Sequence, residues 1–372
     1  NSFFWEKNIN KLPKDENIDV ILELVGGSDG VALDLVENSL KAKKHVITAN
    51  KALIAKHGNN LINLAEENNV SLKFEASVAG GIPCIKTISE SLSGNRIKKI
   101  IGVLNGTCNY ILTEMENNNK SYEEVFKEAQ NLGYVESNPK LDIGGIDSAQ
   151  KLSILSALAF GTKIYYNNEN VDGIENINLE DIKFAKSMGY RIKLLSVSER
   201  TSDGIFQNTA PSLISKEHMI SNLEGGTNLV SITGDFVNEI ILQGLGAGDG
   251  PTASAVISDL IDVALSNHRP ILGQTIKNLK FPIDYKRKEC SCYYIRFNLA
   301  DEPGSLAKVA NILGNYKISI DRMKQIKHKG DKAPLIIVTH KCQIDKISIA
   351  LKEINKLDVC LQNPTMIRIE DI

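Results

Sequence analysis

Asp147 and Lys151 stand four residues apart, immediately ahead of an apolar series at Leu152, Leu155 and Leu158. In a helix beginning near Asp147, that spacing puts the carboxylate and the ammonium on one face, a turn apart. The leucines give the helix a side to bury. A lysine on the first turn of a buried helix sits beside the positive end of the dipole and partly out of water, and both effects favour release of its proton. The carboxylate opposes them, holding the proton and orienting the ammonium. Such a pair suits a step in which negative charge develops on oxygen, since an ammonium both stabilises and protonates an alkoxide. Two plainer readings stand beside this one. Asp147 and Gln150 also fit a capping pattern, and Asp/Lys pairs at this spacing commonly decorate surfaces.

Other residues invite the same question. Glu136 and Asp142 lie just upstream, in the stretch that opens with Gly133-Tyr134. Lys51 follows a short apolar run at the rim where a dinucleotide lies in an α/β sheet; alternatively it is a solvated lysine at a helix start. Gly26, Gly27, Gly133 and Gly248 permit close backbone approach, or mark turns. Cys108, in Asn105-Gly-Thr-Cys-Asn109 before an apolar helix, has the setting of the nucleophile of aldehyde dehydrogenases that work through a thioester. Against that, no His has a clear base role, and packing is the other reading of Cys108.

The elements that would hold these residues alternate. Residues 18–25 form an apolar run ended by Gly26-Gly27, as in a buried parallel strand. Ser28 is placed to cap a helix with Val31, Leu35, Val36 and Leu40 on its packing face. A strand at 45–48, a helix over 52–67 (weakened by Gly58) and a strand over 70–78 complete an α/β pattern. Beyond Gly80-Gly81, helices are expected over 82–92, 107–115 and 122–132, the last with a Ser121/Glu124 capping box, and a strand over 96–104. Strand signals dominate 190–243. A helix over 252–266 leads back to the first domain, and 281–289 reads as a linker. Strand 292–299, helix 306–315, strands 318–323 and 334–340, helix 345–356 and strand 359–369 then make a ferredoxin-like βαββαβ unit.

Composition narrows the class. The 372 residues allow two or three domains. Lys and Arg number 43 against 45 Asp and Glu, a net charge of −2, which gives no electrostatic case for nucleic acid or an anionic membrane. No apolar stretch spans a bilayer, and 1–14 lacks the apolar core of a signal peptide. Six scattered Cys suit reduced thiols in a cytoplasmic enzyme, and Cys290-Ser-Cys292 is too tight for a metal clip.

The stretch from Gly133 to Lys151, with its Glu136, Asp142, Asp147 and Lys151, resembles the substrate signature of homoserine dehydrogenases. Thr48-Ala-Asn-Lys51, Glu75-Ala-Ser-Val-Ala-Gly-Gly-Ile-Pro83, Val103-Leu-Asn-Gly-Thr-Cys-Asn-Tyr110 and Gly246-Ala-Gly-Asp-Gly-Pro-Thr-Ala253 resemble the same family in the same order. Five stretches in register cover roughly residues 18–270. The resemblance implies reversible reduction of L-aspartate 4-semialdehyde to L-homoserine by NADH or NADPH. It implies that Lys151 donates the proton, that Glu136 and Asp147 hold the substrate, and that Asp142 lines the site. Lys51 becomes a cofactor contact with a possible catalytic part, Gly133 and Gly248 pass close to the nicotinamide cofactor, and Gly26 and Gly27 border it. It further implies a sodium site from carbonyls of Val78, Gly80 and Ile82, with help from Glu75; a tight turn into a helix is the alternative.

The segment around Asp301-Glu-Pro303-Gly304 resembles the opening of ACT domains, which bind an amino acid at a domain interface. Threonine is the ligand this suggests, offered to free N–H groups at a helix start; a pure dimerisation domain is the alternative. The expected architecture is therefore α/β. A partial NAD(P)-binding Rossmann domain covers 1–79 with 265–285, an α+β substrate and dimerisation domain with a mixed sheet covers 80–264, and an ACT domain covers 290–372, in a homodimer or homotetramer. The chain starts at Asn1 without Met, and no strand–GxGxxG–helix is present. The family's first strand and phosphate loop are expected upstream, and with them the residue that chooses NAD or NADP. A non-catalytic amino-acid-binding protein is the second functional class.

Overall fold

The computed structural model describes residues 4–133, 139–266, 269–285, 290–325 and 332–372. β1 (Val20–Glu23), β2 (His45–Thr48) and β3 (Leu72–Lys73) form a parallel sheet in that order, crossed by α1 (Val31–Lys41) and α2 (Lys51–Asn68). Val46 of β2, Val36 and Leu40 of α1, and Leu53, Ile54 and Leu61 of α2 are fully buried in one core. α2 runs unbroken through Gly58 because the missing Cβ leaves room for Ile164 Cδ1, 2.7 Å from where that atom would stand.

Two expectations fail here. Ser28 does not cap α1: the N-cap position is Gly30 at φ +67, and the Ser28 hydroxyl bonds Asp29 instead. The strand expected over 70–78 is only Leu72–Lys73, and the chain then turns through a 3₁₀ turn, Glu75–Ser77. Glu75 forces the turn. Its carboxylate accepts the N–H groups of Ile85 and Lys86 at 2.9 and 2.8 Å, and its own N–H donates to Asp259.

α3 (Cys84–Lys86) passes into a π-helical turn (Thr87–Ser91). After it come β4 (Lys99–Val103), α4 (Gly106–Asn118), α5 (Tyr122–Asn131), α6 (Pro139–Ile143), α7 (Ile146–Phe160) and α8 (Leu179–Ser187). The Ser121/Glu124 capping box forms as expected at the start of α5. β5 (Tyr190–Arg200), β6 (Ile205–Ser215), β7 (Thr227–Thr233), β8 (Glu239–Leu245) and α9 (Asp249–Ala264) follow. α7 is buried nearly all round, not only along its leucines, because it packs on α2 on one side and on β4, β5 and β6 on the other.

The C-terminal unit is β9 (Cys292–Ala300), α10 (Ser305–Asn315), β10 (Ile320–Gln325), β11 (Lys332–Thr339), α11 (Ile344–Ile354) and β12 (Thr365–Ile369). Its strands lie antiparallel in the order β12-β9-β11-β10, the ferredoxin-like arrangement. The last strand starts at Thr365, not Val359; Asn363-Pro364 intervenes, and Pro364 has no N–H for a ladder. β12 also pairs in parallel with β6, through Arg368↔Ser212 and Ile369↔Leu213. One nine-stranded sheet, β10-β11-β9-β12-β6-β5-β4-β7-β8, therefore runs through both the substrate region and the ACT unit. The proposed linker helps to seat them: Ile205 donates its N–H to Ile283 O and accepts from Tyr285.

Candidate active site

α7 opens at Gly145, φ +79, with no side-chain cap. Asp147 lies inside the first turn and spends its oxygens elsewhere, so the capping reading fails; at 4% and 9% exposed, Asp147 and Lys151 are no surface pair either. Lys151 Nζ donates to Asp147 Oδ2 and to the Leu104 carbonyl, both at 2.8 Å. Lys51, first residue of α2, puts its Nζ 2.8 Å from Asp147 Oδ1. Burial pushes Asp147 up, but the Lys151 and Lys51 ammonium groups outweigh it and hold the carboxyl well below the usual carboxylate range.

A residue that the sequence reading passed over ties the cluster together. Asn105 Nδ2 donates to Asp142 Oδ1 at 2.9 Å and to Asp147 Oδ2 at 3.0 Å, while its Oδ1 accepts the Cys108 N–H and caps α4. An Asn just before a helix is a legible N-cap; its hold on two carboxylates is visible only in three dimensions. Asn228 Nδ2 donates to the same Leu104 carbonyl that Lys151 uses. Lys193, buried on β5, donates to Asn109 Oδ1 and to the Leu223 carbonyl; burial, then Arg191, pull it down to about 8. It fixes α4 from behind.

Cys108 does not fit the thioester setting. Its side chain is fully buried and donates to the Asp142 carbonyl. Burial first, then the charges of Asp142 and Asp147, push the thiol up, the reverse of what a nucleophile needs. It is a packing residue, in one core with Ile111 and Leu112.

A groove of about 610 Å³ lies at the carboxyl ends of β1 and β2, against the start of α9. Gly26 and Gly248 both line it, with Asn50 and Thr252. Gly26 and Gly27 take φ +82 and +83, and nothing stands within 4 Å of where their Cβ atoms would be. Asn50 Nδ2 donates to Gly27 O, and the buried Glu23 carboxylate accepts the N–H groups of Val25 and Gly26. These bonds shape an open cradle at the strand ends, where a dinucleotide fits. Lys51, next to Asn50, connects this rim to Asp147. Gly133, at φ +76 after α5, is not among the groove's lining residues. Glu136 falls outside the described residues.

Glu75, Val78, Gly80 and Ile82 share one turn. Burial pushes Glu75 up to about 7, against the two N–H bonds that pull it down. The Val78 carbonyl accepts the Cys84 thiol and that of Ile82 the Cys84 N–H. Asp301, Pro303 and Gly304 form an exposed turn, with Gly304 at φ +93 leading into α10.

Three family models match in succession: the NAD-binding domain of homoserine dehydrogenase over 5–75, homoserine dehydrogenase over 83–261, and the ACT domain over 293–359. A homoserine dehydrogenase of Neisseria gonorrhoeae is 41% identical over 96% of this chain and 84% of its own length. The chain belongs to the homoserine dehydrogenase family. The crystal structure of a homoserine dehydrogenase from Thiobacillus denitrificans superposes with a TM-score of 0.90 at 39% identity, over 98% of this chain and 85% of that one. A hyperthermophilic archaeal homoserine dehydrogenase, solved in complex with NADPH, gives 0.61 at 28% identity, over 70% and 76%. The chain is thus an NAD(P)-dependent oxidoreductase with an ACT domain, not a non-catalytic amino-acid-binding protein. Among the described residues no helix is long and apolar enough to cross a membrane.

Proposed function

We propose that the chain interconverts L-aspartate 4-semialdehyde and L-homoserine with Lys151 as the proton donor. The single observation carrying this is Lys151 Nζ, buried and aligned by Asp147 Oδ2 and the Leu104 carbonyl. Bound in the groove at Gly26 and Gly248, a nicotinamide cofactor, NAD or NADP, supplies or takes the hydride at the carbon that becomes the alcohol. In reduction, Lys151 stabilises the oxygen as it gains charge and gives it the proton; in oxidation, Lys151 takes the hydroxyl proton back. Asp147 keeps Lys151 charged and aimed, and with Asp142 it gives the substrate pocket its acidic wall. Glu136 takes the substrate ammonium. Lys51 joins this wall to the cofactor rim, and Gly27 and Gly133 border the cofactor.

The same reading divides the chain into nucleotide-binding (1–79 with 265–285), substrate (80–264) and ACT (290–372) parts. A sodium ion at the 75–82 turn would draw on the carbonyls of Val78, Gly80 and Ile82, a hard-oxygen set suited to it; Glu75 already accepts an N–H on each oxygen. Threonine is the proposed ligand of the turn at Asp301, Pro303 and Gly304. Six free thiols support a cytoplasmic enzyme. The edge of β8, last strand of the long sheet, offers a second copy a surface for a homodimer or homotetramer. Homoserine-dependent reduction of NAD and of NADP tests the activity: turnover that survives Lys151→Ala would refute the assignment of the proton donor.

A further inference from the structure

The outer edge of β6 is shared by two partners with a gap between them. At one end Thr209 donates its N–H to Asn170 O and accepts from Asp172 N–H, at 3.0 and 2.8 Å. At the other, Ser212 and Leu213 pair with β12, and Leu213 O accepts the Glu370 N–H. Among the described residues no strand pairing covers Ala210 and Pro211 on that side. Outward-facing groups alternate along a strand, so the Pro211 carbonyl shares the edge used by Thr209 and Leu213. Proline brings no N–H. The gap therefore offers a main-chain acceptor and no donor.

A groove of about 540 Å³ sits there, bounded by Asp172 and Asn176 on the substrate side, Asn208 and Pro211 on β6, and Asn363 and Arg368 on the ACT side. Its two ends differ in charge. Asp172 is pushed up by burial alone, with no cation named against it, and would gain from an ammonium. Arg368, anchored by Glu370 and the Ser291 hydroxyl, brings a guanidinium to the opposite end. Their partners on β6, Thr209 and Ser212, are three residues apart, or roughly 10 Å, and the length of the arginine side chain takes up much of that span. An ammonium and a carboxylate on one small molecule complete the pattern.

The groove wall backs directly onto the active site. Ile174 donates its N–H to Ile143 O at 2.9 Å. A Cβ on Gly173 would stand 2.2 Å from Ile143 O, and one on Gly145 would stand 3.0 Å from Asp172 O. Asp142 precedes this contact and α7, with Asp147 and Lys151, follows it. There is no slack between the two, and a packed contact without slack transmits a shift instead of absorbing it.

We propose that this groove binds a free α-amino acid, ammonium toward Asp172 and carboxylate toward Arg368, and that its occupancy is felt at Asp142 and Asp147. The coupling rests on the reading of Asp147 and Lys151 as catalytic. The site is distinct from the turn at 301–304.

The test uses the full chain with L-threonine, L-leucine and L-lysine as probes spanning polar, apolar and cationic side chains. Calorimetry and inhibition, each relative to the variant's own uninhibited rate, are read for wild type, Asp172→Asn, Arg368→Gln and Asp301→Asn. At least one probe is expected to bind wild type, and Asp172→Asn and Arg368→Gln each to weaken it at least tenfold, while Asp301→Asn leaves that event unchanged. Asn363→Trp, on the exposed loop, puts a fluorophore at the groove mouth whose emission should change on binding, whatever the stability of the other variants. Unchanged binding in both Asp172→Asn and Arg368→Gln overturns the proposal, as does an active wild type that gives neither heat nor an indole signal with any probe. Loss of turnover in Lys151→Ala is read separately, so the catalytic assignment stands or falls on its own.

Discussion

Lys51 reaches Asp147 across the boundary between the two sheets, with 2.8 Å between Nζ and Oδ1. The first turn of α2, which follows the cofactor rim, and the first turn of α7, which carries the proton donor, thus meet at one carboxylate. Asp147 is the hinge of the site's electrostatics as well as of its geometry, because Lys151 claims its other oxygen.

That arrangement makes Lys151 hard to replace. Lys151→Ala should lower kcat by about 10² to 10⁴-fold, the usual worth of a positioned acid–base group. Lys151→Arg keeps the charge but holds its proton too tightly to give it up, and should recover little. Stopped assays of homoserine oxidation at saturating cofactor, with melting temperatures alongside, check both; an Arg variant near wild-type rate would mean the charge alone matters.

Removing Lys51 changes the acid side. Asp147 has its carboxyl held low in the folded chain, so its contribution to stability is present above the ordinary aspartate range and is lost as pH falls through the folded value. Lys51→Met takes away one of the two ammonium groups that hold it there. Acid unfolding and the acid limb of the rate profile should both move to higher pH than in wild type. Titrating both chains between pH 3 and 6 by circular dichroism and by rate gives the comparison, and coincident curves would remove Lys51 from the account.

Asn105→Ala removes an N-cap, worth ~1 kcal/mol, and also the donor shared by Asp142 and Asp147. The melting temperature should fall, and kcat should fall further than a cap loss explains. Asn105→Ser restores a cap but not the reach to both carboxylates. It should therefore recover stability and not rate, a split that a purely structural role would not produce.

How much of this was legible follows from where the information sits. Asp147 and Lys151 are on one helix, so period 3.6 alone puts them together. Lys51 and Asn105 come from other elements, and nothing local in either says that they converge on Asp147. Ser28 misled because its hydroxyl is captured by Asp29, itself held by Lys56 and His57, while a glycine at positive φ starts the helix. The βαββαβ order was readable from periodicity; the pairing of β12 with β6 was not, because an edge strand's second neighbour leaves no mark on its own alternation.

Glu75 supplies a prediction on the alkaline side. Burial raises its folded pKa to about 7 from an ordinary 4.5. The folded state then binds the extra proton, so this stabilising contribution is full below about pH 4.5 and is lost as pH rises through 7. A shift of that size corresponds to roughly 3 kcal/mol. Glu75→Gln should flatten the fall in stability between pH 5 and 8 in a sodium-free buffer. If the turn binds sodium, added NaCl should flatten it in wild type too, where choline chloride does not; identical behaviour in the two salts would leave the turn a capping device only.

Gly173 gives the sharpest test of the contact behind the site. Its φ is ordinary, so alanine carries no backbone penalty there, and the only effect is a methyl 2.2 Å from Ile143 O. Overpacking of this kind costs about 1–3 kcal/mol, and since Ile143 cannot retreat without moving Asp142 or Gly145, substrate binding should suffer with stability. Gly173→Ala should raise the KM for homoserine several-fold, with the KM for cofactor little changed. Gly314→Ala, in α10 with open space around it, is the matched control and should be neutral or slightly stabilising. Equal loss of affinity for both substrates would point to general loosening of the fold, whereas loss confined to homoserine would mark 172–174 as the wall through which the ACT side reaches Asp142 and Asp147.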